Sequence, residues 1–232
     1  MTIFNKKGNA DGQWVSISDL MSVLMMIFLF IAVSYMLNVT RDKDAIKEIA
    51  ITYSKLQTEL YDDLMEEFRD DLSKWNADID RQSLSVRFEA PEVLFSSGSA
   101  ELQPKFKEIL NDFFPRYIAI LTNEKYMNDV EEIRIEGHTS SEWSVEVAPE
   151  QAYFNNMELS QNRTRKVLEF VLRNRRLNNK NWIRDRLTAN GLSSSKLVVL
   201  GGVENKEKSR RVEFRVRTNA EKRIVKILTT NG

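Results

Sequence analysis

The sequence has no cysteine, and His138 is its one histidine. Without cysteine the chain cannot form disulfides, thiolate metal sites or cysteine nucleophiles, although the absence fits an oxidising compartment as well as a reducing one. One histidine cannot anchor a histidine-rich metal site or a usual catalytic triad, and no Gly-x-Ser-x-Gly, His-Glu-x-x-His or phosphate-loop motif is present. We therefore expect no enzyme, no cofactor and no metal site, and we interpret His138 as a hydrogen-bonded structural residue.

An excess of one charge is also missing, because 34 lysines and arginines balance 34 aspartates and glutamates. A balanced chain gives no electrostatic reason to bind nucleic acid, and we expect no nucleic-acid partner. The length of 232 residues fits one main domain and something smaller.

Charge is absent altogether from the apolar run Leu20–Val39. A helix of this length rises 1.5 Å per residue and matches the roughly 30 Å of hydrocarbon in a bilayer. A cleaved signal peptide is the alternative, because Lys6 and Lys7 precede the run and residues 32–34 resemble a small-x-small cleavage site. The run continues beyond that site and is longer than the ~7 to 15 residues of a usual signal core, so we predict a membrane span.

Glycine and proline are missing from residues 41–89. Apolar residues recur there at steps of three or four from Ile46 to Ile79, which predicts one continuous helix over about 41–79, roughly 58 Å long. Two copies could pair along this apolar stripe as a coiled coil. The stripe could equally pack on the domain of its own chain, and the sequence leaves both readings open.

From Ser83 onward, short β-like segments alternate with helical ones. The predicted strands are Leu84–Phe88, Ile133–Glu136, Lys196–Leu200 and Val212–Arg217, and the predicted helices are Pro104–Leu121 and Leu159–Leu177. The last strand alternates apolar and charged residues, which is typical of a sheet with one buried face. We predict an α/β sandwich with a further short helix in the link that follows the second helix.

Four segments of this region resemble the OmpA-like peptidoglycan-binding domain. They are VLFSSGSAELQPKFKEIL, IRIEGHTSSEW, NMELSQNRTRKVLEFVL and KSRRVEFRV, and they follow the family's order and spacing over residues 84–217. The resemblance implies an OmpA-like fold that binds peptidoglycan.

The same resemblance implies the binding residues. Arg163 takes the part of the guanidinium that binds a diaminopimelate carboxylate through paired hydrogen bonds, in the first turn of its helix. Around Arg163 the resemblance assigns Asn156 as a loop asparagine, Leu159 as a residue that packs the helix start and Ser160 as a helix cap. It also assigns the two residues after Gly-His, Thr139 and Ser140. Ser140 stands where the family usually has an aspartate for the ligand's ammonium, and Glu142 is a candidate replacement. The alternative is a purely structural role, in which Arg163 forms an ion pair with an acidic neighbour.

Basic residues flank the apolar run on both sides, with Lys6 and Lys7 before it and four more after it. A bare count places the C-terminal side in the cytoplasm. Long domains translocate largely regardless of charge, the later basic residues alternate with acidic ones, and an OmpA-like domain belongs outside the cytoplasm. We therefore expect a single-pass protein of the bacterial inner membrane, with a cytoplasmic N-terminus and a periplasmic C-terminal domain.

One acidic residue, Asp19, stands at the head of the apolar run. It is either an ordinary helix N-cap, as Ser and Asp often are, or a carboxylate inside the bilayer. Trp14 favours the second reading, because tryptophan prefers the headgroup level and Asp19 would lie roughly 7 Å deeper. Buried acids of this kind mark ion pathways, and Ser22 adds a hydroxyl on the same helical face.

The segment WVSISDLMSVLMMIFLFIAVSYML resembles the single span of MotB-type stator subunits. The resemblance implies that Asp19 and Ser22 carry a transported ion, H⁺ or Na⁺. It also implies a homodimer surrounded by five copies of a MotA-like or ZorA-like multi-span subunit, with residues 41–56 as the place of a plug. Within this class the chain is most similar to stators of Zorya antiphage defence, with flagellar stators as the alternative.

Together the resemblances predict an α/β fold class and five segments. They are a cytoplasmic tail at 1–13, a transmembrane helix at 14–39, a linker or plug helix at 40–82, an OmpA-like domain at 83–220 and a C-terminal tail at 221–232. Two other functions stay open. One is a passive tether between membrane and wall, and the other is an energiser of outer-membrane transport, a class that normally lacks an OmpA-like domain.

Overall fold

The computed structural model describes residues 8–89, 91–143 and 146–219. Its helices are α1 (Gly8–Trp75), α2 (Pro91–Leu94), α3 (Pro104–Leu121), α4 (Pro149–Leu172), α5 (Lys180–Arg186) and α6 (Lys206–Ser209). Its strands are β1 (Ala77–Asp80), β2 (Ser85–Phe88), β3 (Val130–His138), β4 (Leu187–Gly191), β5 (Val199–Leu200), β6 (Val203–Glu204) and β7 (Arg211–Thr218). The start of the predicted N-terminal tail and the predicted C-terminal tail at 221–232 lie outside the described residues.

The described residues form two units, one up to Ile51 and one from Thr52 onward. The first unit is the N-terminal part of α1. It contains one segment that is long and apolar enough to cross a membrane, with a mean hydropathy of 2.5 over eighteen residues and exposed side chains. The helix that contains this segment, Ile17–Trp75 in the part of the chain searched, overlaps the predicted span, whose bounds stay a prediction.

The second unit contains a five-stranded sheet in the order β1-β2-β7-β3-β4. Strands β3 and β4 run parallel, and the other neighbours are antiparallel. Because side chains alternate between the faces of a strand, one face of the sheet is apolar and packs against helices. Its central residues, all buried, are Val86, Phe88, Ile133, Ile135, Val212, Phe214 and Val216. The predicted α/β sandwich is confirmed.

The other face of the sheet is charged. Asp78, Arg87, Glu213 and Glu136 lie opposite one another across β1, β2, β7 and β3. Arg87 Nε lies 3.3 Å from Glu213 Oε1, so the arginine on β2 offsets the charge of the glutamate opposite it on β7. The alternation predicted for the last strand is therefore present.

The end of α1 packs on its own chain. Leu60, Leu64 and Phe68 are fully buried, and the Phe68 ring centroid lies 5.2 Å from that of Phe113 in α3. Arg116 of α3 secures the contact, because its Nε donates to Glu67 Oε1 at 2.6 Å, its Nη1 donates to Asp71 Oδ2 at 2.9 Å, and its guanidinium lies over the Phe68 ring. From Leu60 onward the apolar stripe belongs to the core of the domain.

One prediction near the start of the domain is wrong. The helix predicted to residue 79 ends at Trp75, because Asn76 takes a left-handed conformation with φ 47°. Residues 77–80 then form β1, which pairs with β2, so Ile79 reaches the core from a strand. Asparagine tolerates this conformation better than most residues and so permits the turn.

Two further predictions fail in the second half of the domain. Helix α4 begins at Pro149 rather than residue 159, since proline at the first helical position has its φ preset and loses no needed hydrogen bond. The edge strand next to β3 in the main sheet is β4 (Leu187–Gly191), which was not predicted. The strand predicted at 196–200 is not part of this sheet and contributes only to the separate hairpin β5-β6. The short helix expected in this link is α5, and Pro104–Leu121 is confirmed as α3.

We expect Leu64→Ala to lower the free energy of unfolding by about 2 to 5 kcal/mol, because it leaves a cavity in a packed core. The measurement is urea unfolding of the full chain in detergent, followed by tryptophan fluorescence. Ile51→Ala is the control, since Ile51 lies on the same helix but is 60% exposed. An unchanged unfolding midpoint and slope in Leu64→Ala would contradict the intrachain packing.

Candidate functional site

Helix α4 passes very close to the ends of strands β3 and β4. Gly137 and Gly191 are register partners in these strands. A Cβ atom on Gly137 would lie 2.7 Å from Thr164 Cγ2, and one on Gly191 would lie 2.8 Å from Ser160 Oγ. Because any side chain would push the helix away, the two glycines set the position of α4 over the sheet.

The loop after β3 is held under α4 by hydrogen bonds. Thr139 N donates to Ser193 O at 2.9 Å, and Ser193 N donates to Ser160 Oγ at 3.1 Å. Asn156 Nδ2 donates to Ser140 O at 3.3 Å and to Glu142 O at 3.1 Å. The loop therefore has a fixed backbone beneath the helix.

The predicted roles of Asn156, Leu159 and Ser160 at a helix start are wrong, since α4 begins ten residues before Leu159. Asn156 is a buried helical residue that supports the loop, and Ser160 Oγ bonds inside the helix and to Ser193 N instead of capping it. Leu159 is half-buried on the same helix.

Arg163 also lies in the interior of α4, so its predicted place in the first turn of the helix is wrong. Its Nε donates to Ser99 O at 2.9 Å, and its guanidinium carbon lies 4.8 Å from the Phe95 ring centroid. Burial, followed by the nearby charge of Arg210, lowers the pKa of Arg163 to about 10. Within the described part of the chain no carboxylate oxygen lies within 4.0 Å of Arg163, so the alternative of an acidic neighbour does not hold.

These residues surround one cleft of about 580 Å³. All five predicted binding residues line it: Thr139, Ser140, Asn156, Leu159 and Arg163. Phe95, Trp143 and Arg210 line it as well and were not predicted. Arg210 stands inside the segment KSRRVEFRV, so the basic pair at the start of the last strand was the signal that could have found it. Whether these residues bind a ligand stays a prediction.

The cleft offers hydrogen-bond donors and a guanidinium, which is the chemistry that binds carboxylates. The Arg210 Nε and Thr139 Oγ1 atoms are buried and have no hydrogen-bond partner among the described residues. Glu142 also lines the cleft, but its carboxylate accepts a hydrogen bond from Lys206 Nζ at 2.9 Å, which lowers the pKa of Glu142. The predicted replacement acid is therefore already paired.

Asp19 and Ser22, the predicted ion-carrying residues, lie in the first unit. The N-cap interpretation of Asp19 is wrong, because α1 begins at Gly8 and Asp19 is inside the helix. The Asp19 side chain is exposed in the chain taken alone. The Ser22 hydroxyl donates to Ser18 O at 2.9 Å, which leaves its oxygen lone pairs available to a neighbouring donor.

A second buried polar cluster lies on the charged face of the sheet. His138 Nε2 is 3.7 Å from Glu213 Oε1 and 3.9 Å from Glu136 Oε2, and neither ring nitrogen has a hydrogen-bond partner in the described ranges. The prediction of a hydrogen-bonded histidine is therefore wrong, although His138 is buried. The three side chains have the spacing of a metal site. However, Arg211 Nε already lies 2.6 Å from Glu213 Oε1, so a guanidinium supplies the positive charge and we assign no ion there.

Comparison with known proteins connects this geometry to two families. Residues 94–217 match the OmpA family. The chain is 48% identical over 225 residues to Zorya protein ZorB of Escherichia coli (strain Crooks), and the match covers 96% of this chain and 95% of that protein.

Solved structures similar to the chain include the following two. One is a MotB-like protein from Desulfovibrio vulgaris, 23% identical with a TM-score of 0.46, which covers 76% of this chain and 94% of the other. The other is the periplasmic domain of Helicobacter pylori MotB, 18% identical with a TM-score of 0.44, covering 63% and 82% of the two chains.

The His138 imidazole is expected to titrate at about pH 4 rather than near 6.5, because burial and then the charge of Arg211 disfavour its protonated form and lower its pKa. Since the chain has one histidine, a single ¹³C-labelled Cε1 resonance reports this titration by NMR. A midpoint near pH 6.5 in the folded chain would contradict the expectation.

The shift also gives a sign for stability. As the pH falls below 6.5, the unfolded chain binds this proton first, so the His138 contribution to the free energy of unfolding falls from pH 6.5 to about 4, by at most about 1.4 kcal/mol per pH unit. His138→Gln is the control, because the difference between its pH profile and that of the unchanged chain isolates this contribution.

Proposed function

Because this chain belongs to the family of Zorya protein ZorB and, through residues 94–217, to the OmpA family, we propose that it is the wall-anchored B subunit of an ion-driven stator complex. Its task in this proposal is binding and force generation, without enzymatic chemistry or a cofactor. The observation that carries the wall-binding part is the half-buried Arg163 guanidinium, which lines the cleft and has no carboxylate partner in the described chain.

The proposed wall ligand is a carboxylate of a peptidoglycan stem peptide. A guanidinium binds a carboxylate through two parallel charge-assisted hydrogen bonds, and a desolvated site strengthens them. Arg163 would bind the carboxylate, while Thr139 and Ser140 face the ligand from the loop that Asn156 holds in place. Leu159 adds apolar contact on the helix side of the cleft.

The proposed ion site is Asp19 in the apolar part of α1. A charged aspartate at the centre of a bilayer costs about 2.5 to 3.5 kcal/mol on insertion scales, so such a residue is expected to face a protein interior or a water pathway. Taking up H⁺, or coordinating Na⁺, would neutralise Asp19, and Ser22 offers an oxygen on the same face. Each charge that crosses 100 mV releases about 2.3 kcal/mol, which can drive one step of rotation.

Such a mechanism requires partners that the chain does not contain. The proposed assembly is a homodimer of this chain inside a ring of five MotA-like or ZorA-like multi-span subunits, and residues 41–56 would plug the pathway before activation. The chain would cross the inner membrane once, with its cleft in the periplasm. The relative named above supports a role in antiphage defence, and flagellar rotation is the alternative.

We predict that Arg163→Ala weakens co-sedimentation with purified sacculi by about tenfold or more, because it removes a charge-assisted contact to a carboxylate. Arg165→Ala is the matched control. Arg165 lies on the same helix, its side chain is 68% exposed, and it pairs with Glu169. Equal sedimentation of the unchanged chain and Arg163→Ala would remove Arg163 from the binding site.

Asp19→Asn is expected to reduce ion flux through the complex to background, and with it protection against phage, while binding to sacculi is unchanged. Flux is measured in liposomes that contain this chain and its multi-span partner. Asp62→Asn is the control, since Asp62 is an exposed acid on the same helix and lies beyond the proposed plug. If Asp19→Asn kept full flux and protection, the passive tether would be the better account.

A further inference from the structure

The charges around the cleft are unequal. Arg163 and Arg210 both line it, and their charges act on each other strongly enough to help lower the pKa of Arg163. Lys206 stands beside the cleft through its ion pair with Glu142. Two guanidinium groups and a lysine therefore meet one carboxylate, and a ligand that enters the cleft experiences a net positive potential.

Several acceptor groups at the cleft are also occupied. The carbonyl oxygens of Ser96 and Ser99 accept hydrogen bonds from Arg163, and those of Ser140 and Glu142 accept from Asn156. The Glu142 carboxylate is bonded to Lys206. A protonated amine has three donors and no acceptor, and the carboxylate that could neutralise its charge is already paired.

The unpartnered buried groups can both donate a hydrogen bond to an acceptor on a ligand. The buried Arg210 Nε is a donor without an acceptor among the described residues, and the buried Thr139 hydroxyl has no partner there either. A carboxylate satisfies a guanidinium, and an amide carbonyl can accept from a hydroxyl or a second guanidinium. The cleft therefore matches a ligand that carries a carboxylate next to an amide and no free ammonium.

Building on the proposed function, we infer that the cleft prefers a stem peptide whose diaminopimelate side-chain amine is acylated, as it is in a wall cross-link, over one whose amine is free. Acylation converts an ammonium into a neutral amide with a carbonyl acceptor and leaves the neighbouring carboxylate for Arg163. Lys206 is the specificity-determining residue, because it pairs with Glu142, the one acid among the described residues that line the cleft. The chain would thus bind cross-linked wall.

Two soluble probes test this preference on the full chain in detergent micelles. One is the tripeptide L-alanyl-γ-D-glutamyl-diaminopimelate with a free side-chain amine, and the other is the same tripeptide acetylated on that amine. Isothermal titration calorimetry is expected to give about tenfold tighter binding of the acetylated form, since only the free form brings a positive charge close to the arginines.

Lys206→Ala releases the Glu142 carboxylate and is expected to bring the two affinities within about twofold of each other, because the freed acid can accept the ammonium. Lys208→Ala is the matched control. Lys208 lies on the same short helix, is 50% exposed, and pairs with Glu89. This variant should keep the tenfold preference.

Sedimentation with sacculi, run in parallel, distinguishes a failure of the preference for acylated amines from a failure of wall binding itself. If the chain binds sacculi but favours the free tripeptide, binds both equally or binds neither, the preference for acylated amines is overturned and wall binding stands. An unchanged preference in Lys206→Ala would equally overturn the inference. If the chain does not bind sacculi, the proposed function fails, and the inference fails with it.

Discussion

The site depends on the contact between α4 and two glycines of the sheet. Gly137 and Gly191 face Ser160 and Thr164 at distances that leave no room for a Cβ. The contact fixes the height of α4 above the ends of the two parallel strands, and thereby the place of Arg163. Because α4 lies this close to the sheet, Ser160 Oγ can accept a hydrogen bond from Ser193 N. The position of the helix therefore also fixes the loop after β3 and the loop after β4.

The sequence was most informative where local patterns carry the structure. Proline at the start and a regular apolar spacing gave α3 its bounds, and the apolar alternation gave the last strand. It was least informative where distant residues decide. Ile79 continues the helical spacing, but the turn at Asn76 moves it into a strand, and only pairing with β2 gives that strand a place. Strand β4 is short and contains small and polar residues, so its parallel pairing with β3 leaves little trace in sequence.

The cleft also was predictable where it depends on local motifs and unpredictable where it depends on distant contacts. The motifs around Gly137 and Arg163 brought five of its residues together, because each motif is contiguous and its order is preserved. The pairing of Glu142 with Lys206 and the closeness of Arg163 to Arg210 depend on contacts between residues 47 and more positions apart, which no local pattern encodes. For Asp19, the apolar run indicated the environment, and the helix start at Gly8 removed the capping interpretation.

The packing of α1 against α3 changes where the domain can be cut. The OmpA family match begins at residue 94, yet Phe68, Trp75 and Phe88 all lie before it and supply rings to the aromatic core. Strand β2 also lies before it and pairs with β7 along its length. A fragment that starts at the family boundary would expose the backbone edge of β7 and an apolar surface beside it, and such open edges pair with other chains. An excised piece would therefore self-associate, and the smallest independent module must start before Leu60.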